Sequence, residues 1–107
     1  MKGERVDILE RIKRLVKTGS VTFTRKAEFE MLIDELTPEL VCNAIVNARA
    51  IDKSVRSKDP LTGNPEKLYV IKSFTDDGLF IYTKGKIGKL ENREVLYVLI
   101  SSKRSTD

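Results

Sequence analysis

The sequence contains no histidine and a single cysteine, Cys42. Without histidine there is no Ser-His-Asp or Cys-His nucleophile system, no histidine general base and no imidazole ligand for a metal. One cysteine excludes an internal disulfide, and Cys42, beside an apolar helical stripe, reads as a small core hydrophobe. No apolar run reaches transmembrane length and the start lacks a signal-peptide core, so a cytoplasmic protein away from membranes is expected. The P-loop pattern is missing around Gly85 and Gly88, no cysteine cluster or acidic pair marks a metal site, and Asp76-Asp77-Gly78 reads as a turn rather than a calcium ligand set. Any hydrolytic chemistry must therefore run on Lys, Arg, Tyr, Asp or Glu, or on an imported metal.

At 107 residues the chain suffices for one domain with one core, taken as residues 1–107. Its net charge of +4 is concentrated in residues 51–107, which hold eleven basic and eight acidic side chains. That modest bias is compatible with a phosphate backbone as partner.

The main organising stretch runs from Glu66 to Arg104. Lys67 to Phe74, Leu79 to Lys84 and Glu94 to Ile100 read as strands, the first two joined by a turn at Asp77-Gly78 and the second closed by Gly85 to Asn92. Both parities of the third strand are apolar, which predicts the core on one face and a helix or loop over the other.

The preceding residues must supply that cover. Ile8, Leu9, Ile12, Leu15 and Val16 form one stripe of a helix from Glu4 to Lys17, with Arg11, Lys13, Arg14 and Lys17 on its outer face and Gly19 past its end. Val21 to Thr24 reads as a short edge strand. Thr24 would cap a helix from Arg25 to Leu36 that buries Phe29, Leu32, Ile33 and Leu36. Thr37, Pro38 and Glu39 open a third helix, to about Ala50, with Val41, Ala44, Ile45 and Ala48 inward; Asn43 and Asn47 share a face suited to inter-element hydrogen bonds. Residues 51–65 form a long irregular connection whose first half could be a basic strand. The expected class is α+β, with N-terminal helices packed on a small, mainly antiparallel sheet.

The candidate chemistry is a set of cations and aromatics on the sheet. Phe80, Tyr82 and Lys84 share a parity and make an aromatic-to-cation ladder that could stack a base while holding flanking phosphates. The same pattern arises if Phe80 and Tyr82 are core and Lys84 only ends the strand. Lys72 and Lys103 lie on or at the end of strands, and Lys53, Arg56 and Lys58 come from the preceding segment. RNA can be cut without histidine or metal, because its 2′-OH attacks the adjacent phosphodiester when a base takes the proton and cations stabilise the phosphorane.

Several segments together resemble a known family. They are Ile12-Lys13-Arg14-Leu15-Val16-Lys17-Thr18-Gly19, Asp34-Glu35-Leu36, Val41-Cys42-Asn43-Ala44-Ile45-Val46, Ile81-Tyr82-Thr83-Lys84 and Val98-Leu99-Ile100-Ser101-Ser102-Lys103. In order and spacing the chain resembles the RelE/ParE-fold toxins of bacterial toxin–antitoxin systems, most nearly the MqsR-type mRNA interferases. The resemblance implies a RelE-like fold, a metal-independent endoribonuclease toxin with no cofactor, RNA as substrate and a cognate antitoxin as protein partner, with room for a homodimer. It implies catalytic roles for Tyr82, Lys103 and a cation at Lys53 or Arg56, and the pattern of cations and aromatics on and beside the sheet adds candidate RNA contacts at Lys72, Lys84, Lys58, Tyr69 and Phe80. Tyr69 stands about where the family has a glutamine, and the turn from Gly85 to Arg93 is longer than the family's. The alternative is a non-catalytic RNA-binding or protein-interaction module on the same scaffold.

Overall fold

The computed structural model describes residues 3–106, with side chains placed from residue 8 onward. Helix α1, Gly3–Lys17, buries Ile12 and Val16 and ends where Gly19, at φ +82°, lets the Ser20 amide donate back to the Leu15 carbonyl. Arg11, expected on the outer basic face, instead grips Glu94 through three hydrogen bonds of 2.8–3.1 Å. That hydrogen-bonded guanidinium holds the Glu94 carboxyl below the usual range. Strand β1, Val21–Phe23, leads into helix α2, Arg25–Ile33, where the Thr24 hydroxyl accepts from the Ala27 amide. Helix α3, Pro38–Val46, is capped the same way, the Thr37 hydroxyl accepting from the Leu40 amide.

The second half is β-structure: β2, Lys53–Lys58; β3, Pro65–Phe74; β4, Phe80–Leu90; and β5, Arg93–Arg104. The order across the sheet is β1-β5-β4-β3-β2, with β1 parallel to β5 and every other pairing antiparallel. The protein is thus an α+β fold with N-terminal helices on a mixed, open, predominantly antiparallel sheet. Its core joins Ile12, Val16, Met31, Val41 and Ile45 of the helices to Ile71, Ile81, Tyr97 and Leu99 of the sheet.

Three expectations need correction. The strand expected to close at Gly85 runs on to Leu90, and the turn is Glu91-Asn92, both at positive φ, as a two-residue hairpin loop requires. The first half of the 51–65 connection is a basic strand, β2, in line with the sequence reading, and it leaves a loop in which the Asp59 carboxylate accepts from the Leu61 and Thr62 amides, which hold its pKa down. The second apolar parity of β5 is only half-buried, Leu96 and Val98 standing beside Gly88 and Lys86 rather than under full cover. Helix α2 buries Ala27 and Met31, while Phe29, Leu32 and Ile33 are exposed.

The reason for the last correction is polar. Strand β1 pairs β5 only as far as Leu99, and beyond it the β5 edge would be bare. Glu30 accepts from the Ser102 amide at 3.0 Å and from the Ser101 hydroxyl at 2.8 Å, and Asp34, four residues on, accepts from the Arg104 amide at 2.8 Å. The side of α2 that carries these carboxylates must face the sheet, which turns the apolar stripe outward.

Candidate nucleic-acid interface

Alternation along the strands gives the sheet two faces, and cross-strand partners share one of them. Ile71, Ile81 and Leu99 lie in the core under the helices. Phe80, Tyr82 and Lys84 take the opposite parity and are half-buried, so the alternative in which Phe80 and Tyr82 belong to the core is excluded. The register then sets out rows on the open face. Phe74 pairs with Phe80; Lys72 pairs with Tyr82, which pairs with Lys103; and in the next row Lys53 and Lys84 flank Val70, which is buried, as is Ser101 at the end of that row.

Tyr82 is the centre of this arrangement. The Lys103 ammonium lies 5.4 Å from its ring centroid, within cation–π range, and Lys72 flanks it on the other strand. A cleft of about 370 Å³ opens here, lined by Lys72, Tyr82, Lys103, Arg104, Ser105 and Thr106. The lining carries cations, a phenol and hydroxyls, and among the described residues it contains no carboxylate. Among the described residues no three His, Cys, Asp or Glu side chains are grouped as metal ligands.

The remaining candidates divide by face. Lys53, opposite Val70, joins the row of Lys84, one row from Tyr82. Arg56 and Lys58 have the other parity, Arg56 pairing with Lys67 and lining a separate hollow with Pro65 and Glu66. Tyr69 also takes that parity, opposite Gly85, and packs against the core. Its phenol is pushed up by burial, with Arg11 and Glu94 acting in opposite senses. Arg56, Lys58 and Tyr69 are therefore not brought to Tyr82.

Two features of the open face lay outside the sequence reading. Phe74 stacks on Phe80 with centroids 4.5 Å apart, and Arg49 enters from the link between α3 and β2 to line a larger cleft beside Lys72. Phe74 shares the parity of Lys72 and ends the same strand, so the hairpin register could have found it. Nothing local to Arg49 announces its place.

Asn43 and Asn47 hold the hairpin turn to α3. The Asp76 amide donates to the Asn43 side-chain oxygen at 2.7 Å, and the Asn47 amide group donates to Asp76 and to the Phe74 carbonyl, each at 3.0 Å. Their shared helical face thus serves an inter-element contact. Cys42 is half-buried, its thiol pushed up by burial and by Glu39. Comparison of the chain with protein-family models, with curated proteins and with solved structures yields no match.

Proposed function

We propose that the open face of the sheet binds single-stranded RNA and cleaves it without a metal, in the manner of the RelE-like mRNA interferase toxins that the sequence resembles. The observation that carries this reading is the row Lys72, Tyr82, Lys103, in which a phenol is flanked by ammonium groups at the rim of a cleft. Fixed cations of this kind stabilise the charge that grows on a phosphorane. In the reaction the 2′-oxygen bonds to phosphorus and loses its proton, the P–O5′ bond breaks, and a proton reaches the departing 5′-oxygen. The products are a 2′,3′-cyclic phosphate and a 5′-hydroxyl. Lys72 and Lys103 hold the phosphate, Tyr82 orients the ribose and relays a proton, and Lys53 and Lys84 hold neighbouring phosphates. A cognate antitoxin would silence the protein by covering this face.

The test is incubation of the purified protein with single-stranded RNA in EDTA. The wild type is expected to generate cyclic-phosphate ends, and Tyr82→Phe and Lys103→Ala to lose about a hundredfold or more in rate. Equal background cleavage by all three removes the nuclease reading. The absence of a carboxylate from the described lining of the Tyr82 cleft favours a second reading, RNA binding without cleavage, which predicts salt-dependent binding of RNA that stays intact.

A further inference from the structure

Two clefts meet at Lys72, which alone among the described residues lines both. The first is the Tyr82 cleft. The second, about 790 Å³, lies at the turn end of β3 and β4 and is bounded by Arg49, Asp52, Lys72, Phe74 and Phe80 among others. Its volume lies within the range of small-molecule sites in general.

Its wall is aromatic and held in place. Phe74 and Phe80 are cross-strand partners whose rings stack at 4.5 Å with planes inclined by 25°. The pair fixes the ring orientation while Phe74 remains 54% exposed, an unusual position for a phenylalanine at the end of a central strand. The backbone behind it is pinned, since Asn47 donates to the Phe74 carbonyl and to Asp76, and Asn43 accepts from the Asp76 amide. The cleft therefore needs no rearrangement to accept a flat ligand.

Its chemistry alternates with that of the first cleft. Same-face residues on a strand stand about 7 Å apart, so the aromatic row lies one step from the lysine row. Arg49 lines the same cleft and supplies a further cation, alongside the carboxylates of Asp52 and Asp76, the latter engaged by Asn43 and Asn47. A cleft that offers a cation at Lys72, a ring one step along the strand and a second cation at Arg49 suits the phosphates and base of an unpaired strand, whose bases are free to leave the stack and lie on a side-chain ring. A duplex, with its bases paired inward, could not use Phe74.

We infer that the cleft between Arg49 and Lys72 is a nucleobase subsite, in which the base next to the phosphate held at Lys72 stacks on Phe74 and Arg49 takes the following phosphate. This rests on the proposed RNA-binding role of the Tyr82 row, and it adds a single-stranded base as the group recognised. Substitutions at Phe74 test it, because the side chain lies outside the core and the chain contains no tryptophan.

Binding of a short single-stranded RNA is compared with binding of an abasic ribose-phosphate oligomer of equal length, using fluorescence anisotropy. Phe74→Ala is expected to weaken RNA binding about tenfold or more while leaving the abasic oligomer within about twofold of wild type. Lys103→Ala weakens both. Phe74→Trp retains RNA affinity, and its emission is quenched by RNA but not by the abasic oligomer. If Phe74→Ala binds RNA like wild type while Lys103→Ala binds it poorly, the base subsite is overturned and RNA binding at Tyr82 stands. If the wild type binds neither oligomer, both readings fall.

Discussion

Gly85 is fixed by a residue twelve positions away. A Cβ there would lie 2.7 Å from Cζ and 2.8 Å from Oη of Tyr97, whose ring is fully buried. Burial pushes the Tyr97 phenol far up, so it stays neutral, and its hydroxyl has no hydrogen-bond partner among the described residues. The ring sits in the middle of the core, against a sheet that cannot give way. Gly85→Ala is therefore expected to cost about 1–3 kcal/mol through overpacking, read from the urea midpoint. Gly88→Ala is the control, because its Cβ would meet nothing nearer than the Leu96 carbonyl oxygen at 3.5 Å, and it should stay within about 0.5 kcal/mol of wild type. Equal losses in the two variants would dismiss the Tyr97 contact as the cause. These glycines resembled a turn in the sequence because local pattern carries no trace of a distant ring; their place within β4 follows only from tertiary packing.

Helix α2 shows how a strong periodic signal misleads. Phe29, Leu32, Ile33 and Leu36 have helical spacing, but only Leu36 is buried, after the helix has ended with Glu35 at φ +58°. The Leu36 amide donates to the Met31 carbonyl, closing the helix three residues before the apolar pattern stops. The weight of burial instead falls on Met31, so Met31→Ala should cost about 2–5 kcal/mol and Leu32→Gln less than about 0.5 kcal/mol. Thermal denaturation of both variants checks this, and a larger loss for Leu32→Gln would restore the apolar stripe as the packing face. Glu30 has the complementary role. Burial raises its pKa, but hydrogen bonds from Lys26, Ser101 and the Ser102 amide outweigh that effect and hold it below 4.5. Its stabilisation is therefore present above pH 4.5 and lost as the pH falls through the lower folded value. Glu30→Ala, which leaves the buried Ser101 hydroxyl and the Ser102 amide without this acceptor, should lose about 1–3 kcal/mol near neutral pH. Its unfolding curve should also flatten on the acid side relative to wild type; an unchanged acid limb would argue against the carboxylate as the cap of β5.

Across the whole molecule, the sequence disclosed which elements exist and roughly where, because caps such as Thr24 and Thr37 and the Asp77-Gly78 turn are local signals. Strand order and register are not local, and the candidate surface depends on register. Lys53 and Arg56 could not be separated by spacing, yet a shift of one residue moves a strand's side chains to the other face. Pairing of Lys53 with Val70 puts it on the face of Lys72, Lys84 and Lys103, while Arg56 points away. This difference has an electrostatic consequence that net charge alone does not. If Lys72 and Lys103 share one phosphate of a single strand and Lys53, Lys84 and Arg49 neutralise one each, the plot of log affinity against log salt should slope at about −3, since each neutralised phosphate contributes about −0.7. Lys53→Ala should bring the slope about 0.7 closer to zero, and Arg56→Ala, an equal change in side-chain charge on the opposite face, should leave it unaltered. Titrations of labelled single-stranded RNA over a series of salt concentrations measure both. A slope that shifts equally in the two variants would mean that RNA responds to the charge of the whole molecule, and the open face would lose its claim to be the binding surface.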